Sequence, residues 1–317
     1  MEASYDKNAA VIVLPPVSQL DDTSLQRWLA RSELGVEPQP NELLATILGV
    51  IGQRCPAEGL GALRMWGQTG DRPTVWLAAA DPVYLEPRLD QLCLHALSRS
   101  RVAPVELRAL VDHLQHTLAT DSGFGFARLG SSCYLRSREP LATAALPARS
   151  IDQQVPSDFL PQGPQAAAFR NLQGEIEMAL HEHEVNQSRV EAGKQPVNSL
   201  WLWGGGMAPE RTTRALPPLF ANDPLLHGYW EASNAVYDLW PGSIGQCLEA
   251  STGGFVAVTP PRRVSAEFFV DSLNSLRSAL RSKRISRLTL LFRDGRRAHV
   301  RRPHALRFWR RRSKLLD

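Results

Sequence analysis

The segment NSLWLWGGG (198–206) sets two tryptophans in alternation with leucines, directly before three glycines. Side chains alternate between the two faces of a strand, so Trp201 and Trp203 share one face while Leu200 and Leu202 share the other. A run that is apolar on both faces is typical of a buried strand. Glycine allows a backbone to approach a ligand or another chain segment closely. The segment therefore predicts a buried strand that ends in a close backbone contact.

A long helix is predicted immediately before this strand, over residues 163–193. Pro164 suits the first helical position and Gly193 suits a C-terminal stop. The apolar stripe of this helix consists of Phe169, Leu172, Ile176, Met178 and Leu180. A helix followed by a tight turn and a strand forms one side of an α/β layer.

The remaining pattern predicts an α/β protein whose sheet is layered with helices. Asp81-Pro82 is expected to end one strand, and Asp294-Gly295 favours a type I′ turn in a C-terminal β-hairpin over 287–302. We expect two lobes, 1–140 and 165–317, joined by a connector at 141–164 that is rich in Pro, Ala, Ser and Gln. Further strands are predicted at 9–17, 73–87, 131–137 and 254–258, and further helices at 21–34, 38–52, 104–120, about 212–221 and 265–282.

The composition favours a folded protein of the cytoplasm. Hydrophobic residues make up 43% of the 317 residues and charged residues 21%, which excludes global disorder. The apolar runs fall short of the roughly 20 residues that span a bilayer, so no membrane partner is expected. The opening MEASYDKN shows no secretory signal pattern. The four cysteines lie far apart without a C-x-x-C pair, which favours reduced thiols over disulfides or a zinc cluster.

Positive charge is concentrated near the C-terminus. Residues 281–317 hold 14 basic and 2 acidic residues, a net of +12, whereas the remainder holds 22 basic and 30 acidic residues, a net of −8. A basic surface of this kind binds nucleic acid or an acidic partner, or its arginines pair with the acidic remainder of the protein. The charge of the remainder favours internal pairing over nucleic acid. The candidate basic surface consists of Arg301, Arg302, Arg310, Arg311 and Arg312.

Three stretches resemble a known bacterial family. The run EIEMALHEHEVNQSRVEAGKQPVNSLWLWGGG (175–206) is similar to the signature of "cofactor-independent phosphoglycerate mutase-like" proteins, also described as the regulation-of-pathogenicity-factors E type. WLAAADPVYLEP (76–87) resembles a second signature, W-L-R-A-D-P-V-x-L, through Asp81 and Pro82, with Ala79 at the usual Arg. RFWRRR (307–312) resembles the C-terminal end of that family. The central signature is filled by Glu175, Glu177, Met178, Leu180, His183, Val185, Asn186, Arg189, Gly193, Asn198, Ser199, Leu200, Trp201, Trp203, Gly204, Gly205 and Gly206.

The resemblance extends more distantly to archaeal-type phosphoglycerate mutases and, through them, to the alkaline-phosphatase superfamily. It implies a fold of that kind and a site with two divalent metals held by Asp and His beside a Ser or Thr nucleophile. The first strand instead ends in Pro15-Pro16, and the pair Asp112-His113 falls inside a predicted helix. Trp203 stands where the mutases carry an Arg. We therefore predict no catalytic residues, no metal and no cofactor, and a non-catalytic binding or regulatory protein. A mutase or phosphatase with atypical ligands is the alternative.

The candidate ligand site lies at the central signature. Asn186 and Arg189 are three positions apart and share a helix face. The resemblance implies a small phosphorylated or acidic ligand, with a protein partner as a second option. The glycines lack the spacing of a P-loop or a dinucleotide fold. The alternative to ligand binding is a structural role, in which Asn198 caps the turn, Arg189 pairs with a nearby Glu, and the tryptophans are core residues. The sequence leaves both interpretations open. The candidate residues are Asn186, Arg189, Asn198, Ser199, Trp201, Trp203, Gly204, Gly205 and Gly206.

The HEHE run (181–184) invites a metal interpretation. His181 and His183 lie two positions apart, which turns them to about 200° from one another on a helix, so they cannot hold one ion together. Glu177 and His181 could form half a site. A solvated helix end is the simpler interpretation, and it is the one we favour.

Overall fold

The computed structural model describes residues 6–37, 41–97, 101–119, 123–164, 166–261, 265–307 and 309–310. The helices are α1 Thr23–Ala30, α2 Leu43–Val50, α3 Leu60–Thr69, α4 Pro104–Leu118, α5 Ala166–His181, α6 Glu184–Glu191, α7 Pro224–Ala232, α8 Ile244–Ala250 and α9 Ala266–Arg281. The strands are β1 Ala9–Leu14, β2 Glu33–Val36, β3 Trp76–Pro87, β4 Leu92–Ala96, β5 Phe124–Leu129, β6 Ser132–Ser137, β7 Ser199–Gly206, β8 Leu219–Phe220, β9 Tyr237–Asp238, β10 Val256–Val258, β11 Arg287–Phe292 and β12 Arg296–Arg301.

The chain divides into two compact units. The split unit comprises residues 1–54 and 211–317, and the central unit comprises residues 55–210 between them. This division differs from the sequential lobes expected from the sequence. The segment 141–164, expected to be a connector, lies inside the central unit, because Ala144 bridges to Trp203 on β7 and Leu146 accepts a hydrogen bond from Trp201.

The split unit contains a seven-stranded sheet in the order β2-β12-β11-β1-β10-β8-β9. Strand β1 runs parallel to β10 and β11, β12 pairs antiparallel with β11, and β2 pairs antiparallel with β12. All six residues of β1 are buried, which explains its unbroken apolar sequence. One core cluster joins side chains of the sheet to those of α1 and α9, including Ile12, Leu29 and Phe269.

The central unit contains an antiparallel sheet in the order β4-β3-β6-β5, with β7 paired to β3. Helices α4 and α5 share a core cluster with this sheet, through residues such as Leu110, Ile176 and Leu202. The long strand β3 pairs with β7 along one edge. Along its other edge it pairs first with β6, through residues 76–80, and then with β4, through residues 83–87.

Several predictions are confirmed by these elements. The α/β class is confirmed, and β11 and β12 form the C-terminal hairpin. Helices α1 and α9 lie inside the predicted ranges 21–34 and 265–282, and the structure shows that Asp22 and Ser265 cap them. Gly193, with φ of 68°, follows α6 at the predicted stop.

Other predictions are wrong. Asp81-Pro82 does not end β3. Pro82 lies between the residues of β3 that pair with β6 and those that pair with β4. It therefore removes no hydrogen bond from either of these two pairings. The long helix is broken between His181 and Glu184. Met178 is 72% exposed and so is not part of the apolar stripe.

Two further corrections concern the C-terminal half. The helix predicted at 212–221 is absent. Strand β8 lies at the end of that range, and helix α7 begins after it. Only Gly295 has a positive φ in the turn of the hairpin, 80°, whereas a type I′ turn requires two such residues.

None of the helices in the described ranges combines the length and the apolar character that a membrane span needs.

Candidate functional site

The carboxyl edge of the parallel strands in the split unit is the first place to look for a site, because open α/β sheets bind ligands there. Strand β1 leads into Pro15-Pro16, β10 into Thr259, and β11 into Arg293-Asp294. Adjacent parallel strands bring these three exits side by side.

The polar groups at this edge hydrogen-bond to the protein itself. The Thr259 hydroxyl donates to the Val13 carbonyl at 2.9 Å. The Arg293 guanidinium donates to the Thr259 carbonyl at 2.5 Å. The Asp294 carboxylate accepts from the Val17 amide at 2.9 Å. These contacts join three neighbouring strand exits by hydrogen bonds.

The donor set at the exits of β1, β10 and β11 does not fit a two-metal phosphoryl-transfer site. Such a site needs carboxylate and imidazole ligands that converge on two ions. Proline follows β1, and Asp294 is engaged by Val17 and by Arg296, whose guanidinium lies 3.5 Å from it. Asp112 and His113 lie in the central unit on α4, where the His113 ring donates to the Ala179 carbonyl at 3.0 Å.

The tryptophans of the central signature are core residues of the central unit. Trp201 and Trp203 are each 1% exposed. The Trp201 indole donates to the Leu146 carbonyl at 2.8 Å, and the Trp203 indole donates to the Asp81 carboxylate at 2.7 Å. Buried tryptophans satisfy their N–H in this way. Asp81 and Trp203, which belong to the two family signatures, are therefore in direct contact.

Arg64 of α3 completes this polar cluster and was missed by the sequence analysis. Its guanidinium donates to Asp81 at 2.6 Å and to the Cys133 carbonyl at 2.7 Å. It also lies over the rings of Tyr134 and Trp203, at 4.7 Å and 5.5 Å from their centroids. A sequence signal was present, since no other charged residue lies between positions 58 and 71. A charge that such a helix buries is almost always paired.

Burial sets the electrostatics of this cluster. Burial is the largest single influence and opposes the charge of Arg64, but the attraction and hydrogen bonds of Asp81 and Tyr134 together outweigh it, so the pKa of Arg64 is raised. Burial raises the pKa of the Cys133 thiol to about 12. It also raises the pKa of Tyr134. Cys133 and Tyr134 are therefore neutral near pH 7, and the Arg64–Asp81 pair carries the charges of the cluster.

Asn186 is buried and hydrogen-bonds to the backbone of two chain segments. It is 3% exposed. Its amide nitrogen donates to the Leu180 and Val197 carbonyls at 2.8 Å and 2.9 Å, and its oxygen accepts from the Val197 amide at 2.8 Å. These bonds tie the end of α5 to the start of β7, across the break that separates α5 from α6.

Arg189 makes three contacts inside the central unit. It is 2% exposed and donates to the Gln195 carbonyl at 2.9 Å, the Arg101 carbonyl at 3.0 Å and the Glu106 carboxylate at 2.7 Å. Glu106 also accepts from the Ala103 amide at 2.8 Å at the start of α4. Arg189 thus joins α6 to α4, with Glu106 as its acidic partner rather than the nearby Glu182 or Glu184.

Asn198 and Ser199 also bond within the unit. The Asn198 amide group bonds both the Leu85 amide and the Leu85 carbonyl, at 2.8 Å and 2.9 Å, and so extends the β3–β7 pairing by one residue. Ser199 is fully buried and accepts from Gln173, and its hydroxyl lies 3.5 Å from the Glu177 carboxylate. Burial raises the pKa of Glu177.

The three glycines at the end of β7 leave room for neighbouring segments: Gly204 and Gly206 for the start of α3, and Gly205 for the Trp76 ring of β3. A Cβ on Gly206 would lie 2.4 Å from the Gly59 nitrogen, and one on Gly204 would lie 2.8 Å from the Leu60 side chain. A Cβ on Gly205 would lie 2.4 Å from the Trp76 ring. The close approach predicted from the sequence is therefore made to neighbouring segments of the same unit.

The HEHE run lies at the helix break. His183 caps α6 by accepting from the Val185 amide at 3.2 Å, and its ring meets that of His113 edge-on at 4.8 Å between centroids. Burial, followed by the neighbouring His113, lowers the pKa of His183. Glu177 and His181 both belong to α5, where Glu177 contacts Gln173 and Ser199.

The basic C-terminal region is partly paired within the split unit. Arg296, Arg297 and Arg307 lie 3.5–3.7 Å from acidic partners. Arg301, Arg302 and Arg310 are exposed. Arg311 and Arg312 lie outside the described residues.

Comparisons with known proteins place the chain near phosphoglycerate mutases. It is 29% identical over 128 residues to a probable 2,3-bisphosphoglycerate-independent phosphoglycerate mutase of Geobacter sulfurreducens, which covers 40% of this chain and 32% of the relative. It is 30% identical over 117 residues to the corresponding mutase of Methanosarcina mazei, covering 36% of this chain and 30% of the relative. The match thus spans about a third of the length of these relatives. No protein-family model matches the chain.

The fold has a counterpart among solved structures. The PH0037 protein from Pyrococcus horikoshii aligns with a TM-score of 0.50 at 14% identity, over 90% of this chain and 82% of that one. The chain therefore shares the overall fold of that protein and a distant sequence similarity to 2,3-bisphosphoglycerate-independent phosphoglycerate mutases.

Proposed function

We propose that this chain is a phosphoglycerate-mutase-like protein that acts as a non-catalytic binding or regulatory protein. The observation that carries the proposal is the chemistry of the carboxyl edge of the parallel strands. Pro15 and Pro16 offer no ligand atoms on their side chains, Thr259 bonds the Val13 carbonyl, and Asp294 bonds the Val17 amide. The partial similarity to mutases supports a common origin for the two groups.

The proposed ligand class is a small phosphorylated or acidic metabolite. The similarity to mutases supports this class. The candidate residues Asn186 and Arg189 bond to the backbone and to Glu106, so their contacts support a structural role. A ligand-binding role for the 186–206 segment therefore depends on the sequence resemblance alone.

A turnover assay tests the absence of catalysis. The purified chain is incubated with 3-phosphoglycerate, with Mn²⁺ or Mg²⁺ added, and the formation of 2-phosphoglycerate is followed. The Methanosarcina mazei mutase serves as the positive control. We expect no conversion above the enzyme-free rate. Sustained metal-dependent conversion would reject the proposal and support the alternative, a mutase or phosphatase with atypical ligands.

A thermal-shift titration tests the ligand class. Melting temperature is recorded against 3-phosphoglycerate and a panel of phosphorylated metabolites, with and without Mn²⁺. A ligand at 100 times its Kd stabilises the folded state by about 2.7 kcal/mol, which is readily measured. We expect saturable stabilisation that does not require the metal. If no compound acts, a protein partner becomes the better proposal.

Nucleic-acid binding through the basic C-terminus is a lesser proposal. The exposed Arg301, Arg302 and Arg310 favour it, while the internal pairs of Arg296, Arg297 and Arg307 count against it. A salt-dependent gel shift that is lost on changing Arg310, Arg311 and Arg312 to Ala would support it. The absence of a shift at low salt would reject it.

A further inference from the structure

The β3–β4 hairpin of the central unit gathers three side chains that the function above does not use. Its register places Glu86 opposite Cys93, and Tyr84 opposite His95. Residues that lie opposite each other in an antiparallel pair point to the same face of the sheet, and so do residues two positions apart on one strand. A carboxylate, a thiol and an imidazole therefore share one face of a short hairpin.

The donor atoms of these side chains are close enough to converge on one ion. The ligand atoms of Glu86, Cys93 and His95 all lie within 4.8 Å of one another. The His95 Nε2 atom is 3.0 Å from a Glu86 oxygen. Donors around a tetrahedral zinc ion are separated by roughly 3.5 Å, given metal–donor distances of about 2.0–2.3 Å. The longest separation, up to 4.8 Å, needs to shorten by at most about 1.3 Å to reach that geometry.

Neighbouring residues hold two of these ligands in place. The His95 ring stacks on Tyr84 at 5.8 Å between centroids. Hydrogen bonds from His95 and from Arg88, at 3.0 Å and 3.1 Å, hold the Glu86 carboxylate. Arg88 lies 3.1 Å from Glu86 and competes with a cation for this carboxylate. Its side chain is 51% exposed, which leaves it free to turn toward solvent.

We propose that Glu86, Cys93 and His95 form a binding site for a divalent ion of the zinc type. Sulfur, nitrogen and oxygen donors together select zinc over magnesium or calcium, which prefer oxygen alone. Three protein ligands leave the fourth tetrahedral position to water or to an oxygen of a bound molecule. Cys93 is 2% exposed while the Glu86 side chain is 37% exposed, so the open position faces the Glu86 side.

Zinc binding is expected to release protons, because cysteine binds a metal as its thiolate. The His95 Nε2 atom, which faces Glu86, is the nitrogen placed to bind the metal, and the ring proton then lies on Nδ1. An ion pair between Glu86 and His95 alone would bind no metal and would release no proton on addition of zinc.

Cobalt titration of the full chain tests the site. The protein is dialysed against a chelator, kept reduced with a phosphine, and titrated with Co²⁺, which reports thiolate ligation by charge-transfer absorption. We expect one cobalt per chain, displaced by one Zn²⁺. The absence of thiolate-to-cobalt absorption would overturn the proposal.

Variants assign the ligands. Cys93→Ser is expected to abolish the charge-transfer absorption, while Cys55→Ser, at a partly exposed cysteine elsewhere in the unit, is expected to retain it. Loss of an outer partner of a metal ligand typically costs 10–100-fold in affinity, so Glu86→Gln and His95→Gln are each expected to weaken zinc binding by more than about 100-fold. Arg88→Gln is expected to strengthen it, because a competing cation is removed.

If Cys93→Ser does not fold, the variants Glu86→Gln and His95→Gln still test the site. Both of these side chains are partly exposed, and circular dichroism verifies that the two variants fold. Zinc binding that is unchanged in both Glu86→Gln and His95→Gln would overturn the proposal. The site does not depend on the proposed function, since it lies in the central unit and its readout is metal binding rather than turnover.

Discussion

Asp81 connects two signatures that lie far apart in the sequence. Its two carboxylate oxygens accept from the Arg64 guanidinium and from the Trp203 indole, 122 positions away. An unpaired charge in such a place is costly, because little water reaches it. At the scale of single residues, a largely buried polar contact therefore joins the segments 76–87 and 198–206 of this chain.

Asp81→Asn is expected to destabilise the protein by about 3 kcal/mol, because it leaves the buried Arg64 charge without its counter-ion. Urea unfolding monitored by tryptophan emission measures the change. The control is Glu231→Gln, which breaks the more exposed Arg211–Glu231 pair at a similar distance of 2.7 Å. The control should cost less than about 1 kcal/mol. Equal losses in the two variants would show that Arg64 is well solvated.

Stability is expected to fall as the pH rises from 9 to 12. Burial raises the pKa of the Cys133 and Cys247 thiols to about 12, whereas an unfolded thiol ionises near its ordinary value of 9.0. In that window the unfolded chain loses protons that the folded chain keeps, so the free energy of unfolding decreases with pH. The decrease is up to about 1.4 kcal/mol per pH unit for each thiol.

Urea unfolding at pH 8, 9.5 and 10.5 measures this slope. Replacing Cys133 and Cys247 by Ala should flatten it, and Cys55→Ala, at the one partly exposed cysteine, serves as the comparison. A slope that is the same in all three proteins would place the alkaline loss of stability elsewhere, for example at Tyr134, whose pKa is also raised by burial.

At the scale of elements, the junction between β7 and α3 depends on glycine. Gly206 has φ of 149°, and Gly59, the N-cap of α3, has φ of 78°. A Cβ on Gly59 would lie 2.3 Å from the Met207 carbonyl oxygen. The two backbones are thus packed too closely for any side chain between them.

Gly206→Ala is expected to destabilise the protein by more than about 2 kcal/mol, because both the clash with Gly59 and the positive φ oppose it. Gly174→Ala in α5 is the control, since nothing lies within 4 Å of its added Cβ. It should stabilise the protein by up to about 1 kcal/mol, through helix propensity. Thermal and urea unfolding compare the two. A neutral Gly206→Ala would mean that α3 can move away from β7.

The elements show where sequence reasoning succeeded and where it failed. Strand β1, helix α4 and helix α9 were predicted because apolar periodicity and caps act locally. Strands β4 and β5 were missed, and β3 was expected to end at Pro82, because strand limits depend on partners distant in the sequence. The role of Arg64 was not predicted for the same reason, because its partner Asp81 belongs to another element. Asn186 and Arg189 were recognised as important, but their bonding to backbone depends on a helix break that the pattern did not reveal.

At the scale of the whole molecule, the central unit is expected to fold by itself. It is continuous from 55 to 210, and its core cluster draws only on its own elements. A fragment of residues 55–210 should unfold cooperatively in urea. Its tryptophan emission should be blue-shifted in the folded state, because Trp66, Trp201 and Trp203 are buried. A gradual, non-cooperative transition would show that the central unit needs the split unit in order to fold.

The sheet order of the split unit has a consequence for synthesis on the ribosome. Strand β1 is made first, yet its parallel partners β10 and β11 begin at residues 256 and 287. At about 5–20 residues per second, the nascent β1 waits roughly 15–55 s for β11 to be made. The central unit can fold during that wait, while six consecutive apolar residues of β1 remain unpaired. This interval is when the nascent chain is most exposed to aggregation and most dependent on a chaperone that covers its first strand.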